Sequence, residues 1–173
     1  MITAEEIQRR VQELAQTLTR DYEGKNPLFV GVLKGSFIFL ADLIRHIPFD
    51  VAVDFLAVSS YGKSTESSGE VKILKDLSEP IEGRHVLLVE DIVDTGITLD
   101  YLYRLLLERK PASLEICVLL DKQERRVVDV PVKYVGFSVP DRFLVGYGLD
   151  FAERYRNLPY VRELLPEEVK AGG

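Results

Sequence analysis

Residues 85–111 run HVLLVEDIVDTGITLDYLYRLLLERKP. An apolar run, His85 to Val89, has the length and character of a strand buried on both faces. Glu90 to Gly96 follows as a polar turn. Leu99, Leu102, Leu105 and Leu106 then recur at helical spacing, and Pro111 stops the helix. Arg109 and Lys110 fall where cations suit the negative end of a helix dipole. A strand leading through a tight polar turn into a helix is the repeating unit of a parallel α/β sheet.

The same unit recurs on both sides. Upstream, Leu28 to Leu33 is a continuous apolar run, Lys34-Gly35-Ser36 is a turn, and Leu40, Leu43, Ile44 and Ile47 mark a helix stopped by Pro48. Before it, Thr3 to Glu6 forms a capping-box pattern, and Ile7, Val11, Leu14 and Leu18 lie on one helical face. Val51 to Val58 and Val71 to Leu74 read as strands joined by the Ser- and Gly-rich stretch 59–70, a long open hairpin. A loop of that length in a small domain is more often functional than accidental. Downstream, Leu114 to Leu120 predicts another buried strand. Short strands are expected at 132–138 and 142–147, a brief amphipathic helix around 150–156, and a fraying polar tail over about 166–173. The expected fold is therefore a single α/β domain over 1–173: a mainly parallel sheet flanked by helices. Sheets of this kind carry their chemistry at the carboxyl ends of the strands.

Composition narrows the classes. The 173 residues are 46% hydrophobic and 29% charged, ordinary for one globular domain. Acidic residues outnumber basic ones 28 to 22, a net charge of −6, which argues against a general nucleic-acid binder. Cys117 is the only cysteine, so neither an internal disulfide nor a cysteine-rich zinc site is possible. It sits in a strand pattern as a small apolar residue. No apolar run approaches the ~20 residues of a membrane span. The opening MITAEEIQRR is unlike a signal peptide, so a cytoplasmic location is expected. Asn is confined to positions 26 and 157, a weak sign of heat adaptation.

The densest chemistry lies at the end of the opening stretch. Glu90, Asp91 and Asp94 gather three carboxylates, and Thr95-Gly96-Ile97-Thr98 leads into the helix. Amides and hydroxyls at a helix N-terminus cradle an anion, and Gly96 would let the chain approach a phosphate. Acids beside such a cradle would repel a bare phosphate. They suit ribose hydroxyls, or a divalent metal beside a polyphosphate. Asp94 or Thr95 alone is explained by helix capping, but the array is not.

This stretch resembles the phosphoribosyl-pyrophosphate signature of the phosphoribosyltransferases. VLKGSF at 32–37, SSYG at 59–62, SSGEVKILKDL at 67–77, VEDIVDTGIT at 89–98, LLDK at 119–122 and VGFSVPDRFLVGYGLDFAERYRNLP at 135–159 together resemble the bacterial hypoxanthine-guanine phosphoribosyltransferase family. The resemblance covers residues from about 5 to 165. It implies the type I phosphoribosyltransferase fold, with a small hood and a mobile loop at about 59–70. It implies transfer of a phosphoribosyl group from phosphoribosyl pyrophosphate to a 6-oxopurine base, with Mg²⁺ as cofactor. It also implies a homo-oligomer, a dimer or tetramer.

The resemblance further implies roles. Glu90 and Asp91 match the acidic pair that engages the ribose hydroxyls and organises Mg²⁺, and Asp150 matches a second metal ligand. Asp94 matches the general base at purine N7. Thr95, Gly96 and Thr98 match the 5′-phosphate cradle; Ile97 stands where some relatives carry Lys, removing one possible cation. Lys34 and Gly35 match the pyrophosphate turn, whose preceding peptide bond can be cis in the family, and Arg156 matches a pyrophosphate contact. Ser60 and Tyr61 match the start of the loop that folds over the ribosyl pyrophosphate and excludes water. Lys122 matches the donor to purine O6, Phe143 the stacking aromatic, and the Leu144 carbonyl an acceptor from the purine edge.

Each residue also has a plainer explanation. Lys34-Gly35 alone is equally a strand-to-helix turn, Lys122 a surface Lys, Phe143 a core residue, and Asp150 with Arg156 a surface pair on a short helix. Rival functions fit less well. No G-x-G-x-x-G follows a predicted strand, as a dinucleotide-binding domain requires. A regulatory binding protein could lose catalytic positions, yet Asp94, Lys122, Asp150 and Arg156 are all present. Lys122 disfavours an adenine or orotate transferase, since a 6-amino group cannot accept its hydrogen bond. His46 and His85 lie away from these motifs and are not expected to be catalytic.

Overall fold

The computed structural model describes residues 1–60 and 71–172. Tyr61 and the rest of the expected loop lie outside the described residues.

Thr3 caps the first helix, α1 (Ala4–Tyr22), by the expected reciprocal box: its hydroxyl accepts from the Glu6 amide at 3.1 Å, and its own amide donates to the Glu6 carboxylate at 3.1 Å. The chain continues through β1 (Leu28–Leu33), α2 (Phe37–Ile44), β2 (Ala52–Ser60), β3 (Val71–Lys75), β4 (His85–Val93), α3 (Ile97–Leu107), β5 (Ser113–Asp121) and β6 (Tyr134–Ser138). Among the described residues these strands form a six-stranded sheet in the order β3-β2-β1-β4-β5-β6. All neighbours pair parallel except β2 and β3, which form the expected antiparallel hairpin.

Alternate residues of the central strands feed two cores, as strand pleating demands. Phe29, Leu87, Val89, Cys117 and Leu119 face α1 and α2, whose Ile7, Val11, Leu14, Phe39 and Leu43 are fully or almost fully buried. Val30, Val32, Val86, Leu88, Ile116 and Val118 face Leu99, Leu102 and Leu106 of α3. This two-sided burial is why β1, β4 and β5 read as continuous apolar runs.

The direction of winding reverses between β1 and β4, and this places a crevice at their carboxyl ends. Both sheet edges are occupied by charge. Lys72 and Lys75 belong to the edge strand β3. At the other edge, Arg10 of α1 donates to the carbonyls of Gly136 and Val135 in β6, at 2.8 and 2.7 Å.

A small second sheet, β7 (Leu144–Val145) with β8 (Arg162–Glu163), forms the hood. Ile2 joins it by an antiparallel bridge to Val161.

Four sequence expectations need correction. β4 does not end at Val89: the ladder with β5 runs on through Glu90 to Val93, so the acidic pair lies inside the strand. Residues 150–156 are not helical. Gly146 and Gly148 begin a doubled-back turn in which Ala152, Glu153 and Tyr155 all adopt positive φ, held by Gly148 N–H donating to the Arg156 carbonyl at 2.9 Å and by a Phe151–Arg154 bridge. The tail is ordered as α4 (Pro166–Gly172), because Glu168 accepts from the Leu165 amide and from both terminal nitrogens of Arg162. Finally, Arg109 does not serve the helix dipole alone. It forms a bidentate pair with Asp76, both contacts 2.8 Å, tying the end of α3 to the segment after β3.

Candidate active site

Gly96 is the N-cap of α3, with φ of 87° and no side-chain acceptor to offer the first-turn amides. The Thr95 hydroxyl instead accepts from the Ile97 amide at 3.3 Å. The turn borders a cavity of about 160 Å³ lined by Glu90, Asp94, Thr95, Gly96 and Thr98. Two of the three carboxylates foreseen in the sequence, Glu90 and Asp94, thus share one cavity with the cradle. A Cβ at Gly96 would meet the Val128 carbonyl at 2.7 Å and the Arg126 side chain at 3.0 Å. The glycine is needed for its backbone angle and for the chain packed behind it.

Lys122 emerges from the end of β5 only 7% exposed, so the plain surface-lysine explanation fails. Its ammonium lies 3.9 Å from the Asp94 carboxylate, while Arg125 Nε lies 3.1 Å from the other Asp94 oxygen. A buried ammonium beside a carboxylate that lines the cavity forms a donor and acceptor pair. Arg125 was not foreseen; it follows Lys122 by one turn of 3-10 helix at Gln123–Arg125, a geometry that periodicity does not reveal.

Glu90 and Asp91 are adjacent, half-buried carboxylates. Burial, and then the neighbouring Asp91 charge, push Glu90 well above the usual carboxylate range. Asp91 is also raised by burial, against the opposing pull of its hydrogen bonds and of Arg156. Gly35 packs directly on this pair: a Cβ at Gly35 would lie 1.9 Å from Asp91 Oδ2. A Cβ at Gly148 would in turn lie 2.4 Å from the Gly35 carbonyl. The turn after β1, the acidic strand β4 and the glycine-rich hood are stacked in contact. The Leu33–Lys34 peptide bond is cis.

Lys34 and Arg156 meet at a second cavity, of about 360 Å³, with Leu33, Phe37 and Glu153. The doubled-back turn, not a helix, sets Arg156 beside Asp150 at 3.4 Å, and its Nη1 donates to the Gly148 carbonyl at 2.6 Å. Among the described residues, Arg156 Nε is buried without a partner. Glu153 sits between the two cations, 3.5 Å from Lys34 and 3.4 Å from Arg156, and both hold its carboxyl below the usual range. The signal for Glu153 in the sequence was only its spacing of three from Arg156.

Phe143 is 44% exposed rather than a core residue, and it meets Phe151 edge-to-face at 5.5 Å between centroids. Leu144 is buried in β7. Ser60 ends β2 and pairs with Val71. His46 and His85 stand apart, His85 bonding to the Ser113 hydroxyl at 2.8 Å.

The phosphoribosyl transferase domain family matches residues 2–152. The hypoxanthine-guanine phosphoribosyltransferase of Bacillus subtilis is 55% identical over 166 residues, 96% of this chain and 92% of the relative. The crystal structure of a hypoxanthine phosphoribosyltransferase from Staphylococcus aureus superposes with a TM-score of 0.94 at 53% identity, covering 96% of this chain and 91% of that one. A hypoxanthine-guanine phosphoribosyltransferase from Bacillus anthracis, with a HEPES molecule in its active site, gives 0.91 at 52% identity, with coverage of 95% and 97%. With sequence and fold in agreement over nearly its whole length, the chain belongs to the hypoxanthine-guanine phosphoribosyltransferase family.

Proposed function

We propose that the protein moves the 5-phosphoribosyl group of phosphoribosyl pyrophosphate onto N9 of hypoxanthine or guanine, giving IMP or GMP and pyrophosphate. The observation that carries this reading is the buried Lys122 paired with Asp94 at the edge of the Thr95–Thr98 cradle. Lys122 donates to the purine 6-oxo group, which a 6-amino purine could not accept. Asp94 takes the N7 proton as N9 attacks the ribose. The exposed ring of Phe143 stacks on the base, and the Leu144 carbonyl accepts from its edge.

The amides and hydroxyls of Thr95, Gly96 and Thr98 hold the 5′-phosphate. Lys34, Gly35 and Arg156 receive the pyrophosphate, and the unpartnered Arg156 Nε offers it a donor. The family resemblance gives Ser60 and Tyr61 to the start of the loop that folds over the ribosyl pyrophosphate. As C1′ loses its leaving group, the two cations neutralise the charge that develops on it. Glu90 and Asp91 hold the ribose hydroxyls.

The donor set also fits Mg²⁺. Two adjacent carboxylates, both raised by burial and Glu90 also by the Asp91 charge, suit a divalent cation that would complete its shell with substrate oxygens and water. Glu90, Asp91 and Asp150 would hold it, and it would supply charge neutralisation at the pyrophosphate. The protein works as a cytoplasmic homo-oligomer, a dimer or tetramer.

One assay tests the reading. Purified protein, Mg²⁺ and phosphoribosyl pyrophosphate are incubated with each purine base and followed by absorbance. Hypoxanthine and guanine are expected to give nucleotide and adenine none. Absence of nucleotide from every base overturns the proposal, and omitting Mg²⁺ is expected to abolish the rate.

A further inference from the structure

The turn that carries Lys122 also forms the back wall of the phosphate cradle. Lys122 N–H donates to the Val93 carbonyl at 3.0 Å, Arg126 Nε to the Asp94 carbonyl at 3.4 Å, and the amides of Val127 and Val128 to the Thr95 carbonyl at 2.9 and 3.1 Å. Consecutive carbonyls of the cradle are therefore all claimed from one side. Because trans peptide units are planar, this turns the amide N–H groups of Asp94, Thr95 and Gly96 to the opposite side. Free amides presented in a row are what an oxyanion requires.

Arg126 is the only side chain that donates to these carbonyls among the described residues, and it is itself fixed. It pairs with Asp121, the last residue of β5, which is 3% exposed and whose other oxygen accepts from Gln123 at 3.3 Å. Its aliphatic stem also fills the space where a side chain at Gly96 would lie. Arg126 thus touches the strand end that bears the purine-reading Lys122, the carbonyl of Asp94 and the glycine at the head of α3.

We propose that Arg126 is a positioning residue for the 5′-phosphate site: held by Asp121, it fixes the outward orientation of the cradle amides without touching substrate. The proposal rests on the transferase reading above. It predicts a loss confined to the phosphate. Arg126→Lys keeps a cation for Asp121, but a single ammonium cannot reproduce the planar fork that serves Asp121 and the Asp94 carbonyl together. The double variant Asp121→Asn with Arg126→Met removes both charges and leaves none buried alone.

The readout is binding of GMP and of guanosine by calorimetry, with KM for each substrate beside it. In both variants GMP binding is expected to weaken on the order of 10-fold, guanosine binding and KM for hypoxanthine to stay within about 2-fold, and KM for phosphoribosyl pyrophosphate to rise. A folded Arg126→Lys protein with an unchanged GMP-to-guanosine ratio overturns the assignment, as does an equal loss for both ligands. A wild-type protein that binds GMP no more tightly than guanosine overturns the transferase reading along with it.

Discussion

The two ends of the site are built by different means. At the cradle end, Asp94 to Gly96 are held by backbone hydrogen bonds from residues 122–128 and by the buried Asp121–Arg126 pair. At the hood end, Lys34, Glu153 and Arg156 are joined by ion pairs of 3.4–3.5 Å whose Lys34 and Glu153 side chains are 69% and 64% exposed. Exposed pairs of that kind contribute little and are screened by salt, whereas buried groups are fixed in one geometry. In the proposed reaction, the end that would orient base and phosphate is preorganised, and the end that would receive the leaving group is held more loosely.

The sharpest way to test this contrast is Asp94→Asn. Asp94 is 41% exposed, so the fold should tolerate the change and Tm should stay close to wild type, while kcat falls by about 10²–10⁴-fold. A variant that kept the full rate would remove Asp94 as the base. Next in size is Gly96→Ala. It forces a side chain into φ of 87° and against the Val128 carbonyl, and is expected to cost about 10²-fold in kcat/KM for phosphoribosyl pyrophosphate. A mild effect would mean that the cradle is less rigid than its hydrogen bonds indicate.

Glu90→Gln should separate function from stability. Glu90 is raised in the folded chain by burial and by Asp91, so the folded state holds its proton more tightly than the unfolded state does. Its contribution is therefore complete below the ordinary value of 4.5 and is lost as pH rises through the raised folded value. The variant is expected to melt at a higher temperature than wild type at pH 8 without ligand, to lose that advantage near pH 4, and to transfer phosphoribosyl groups poorly. The smallest effect is expected from Glu153→Gln. Tm should not move, and KM for phosphoribosyl pyrophosphate should shift by no more than a few-fold, less at high salt. A large change would show that the hood end is held as rigidly as the cradle.

What the sequence disclosed follows the same division. β1 was legible to the residue, because an unbroken apolar run between turns has few other interpretations. The acidic pair and the cradle were legible as a pattern, although the strand extends through the pair: polar residues at a functional strand end disguise the ladder. Residues 150–156 misled, since FAERYR spaces apolar and charged residues as a helix would. Backbone turns at Gly146 and Gly148, together with positive φ at Ala152, Glu153 and Tyr155, override that local pattern. The burial of Lys122 and the exposure of Phe143 could not be read at all, because both depend on which distant segments pack beside them. Arg126 was invisible for the same reason: its partners are a strand terminus and a carbonyl 32 positions away.

The charged margins of the sheet bear on how copies of the chain can associate. An open strand invites another chain to pair with it and seed aggregates. Here one margin carries Lys72 and Lys75, and at the other Arg10 already occupies the carbonyls of Val135 and Gly136. Extending the sheet from one molecule into the next would mean burying ammonium groups or evicting a guanidinium. Edge-to-edge pairing of copies is thereby disfavoured, and the sheet stays a private interior in a crowded solution.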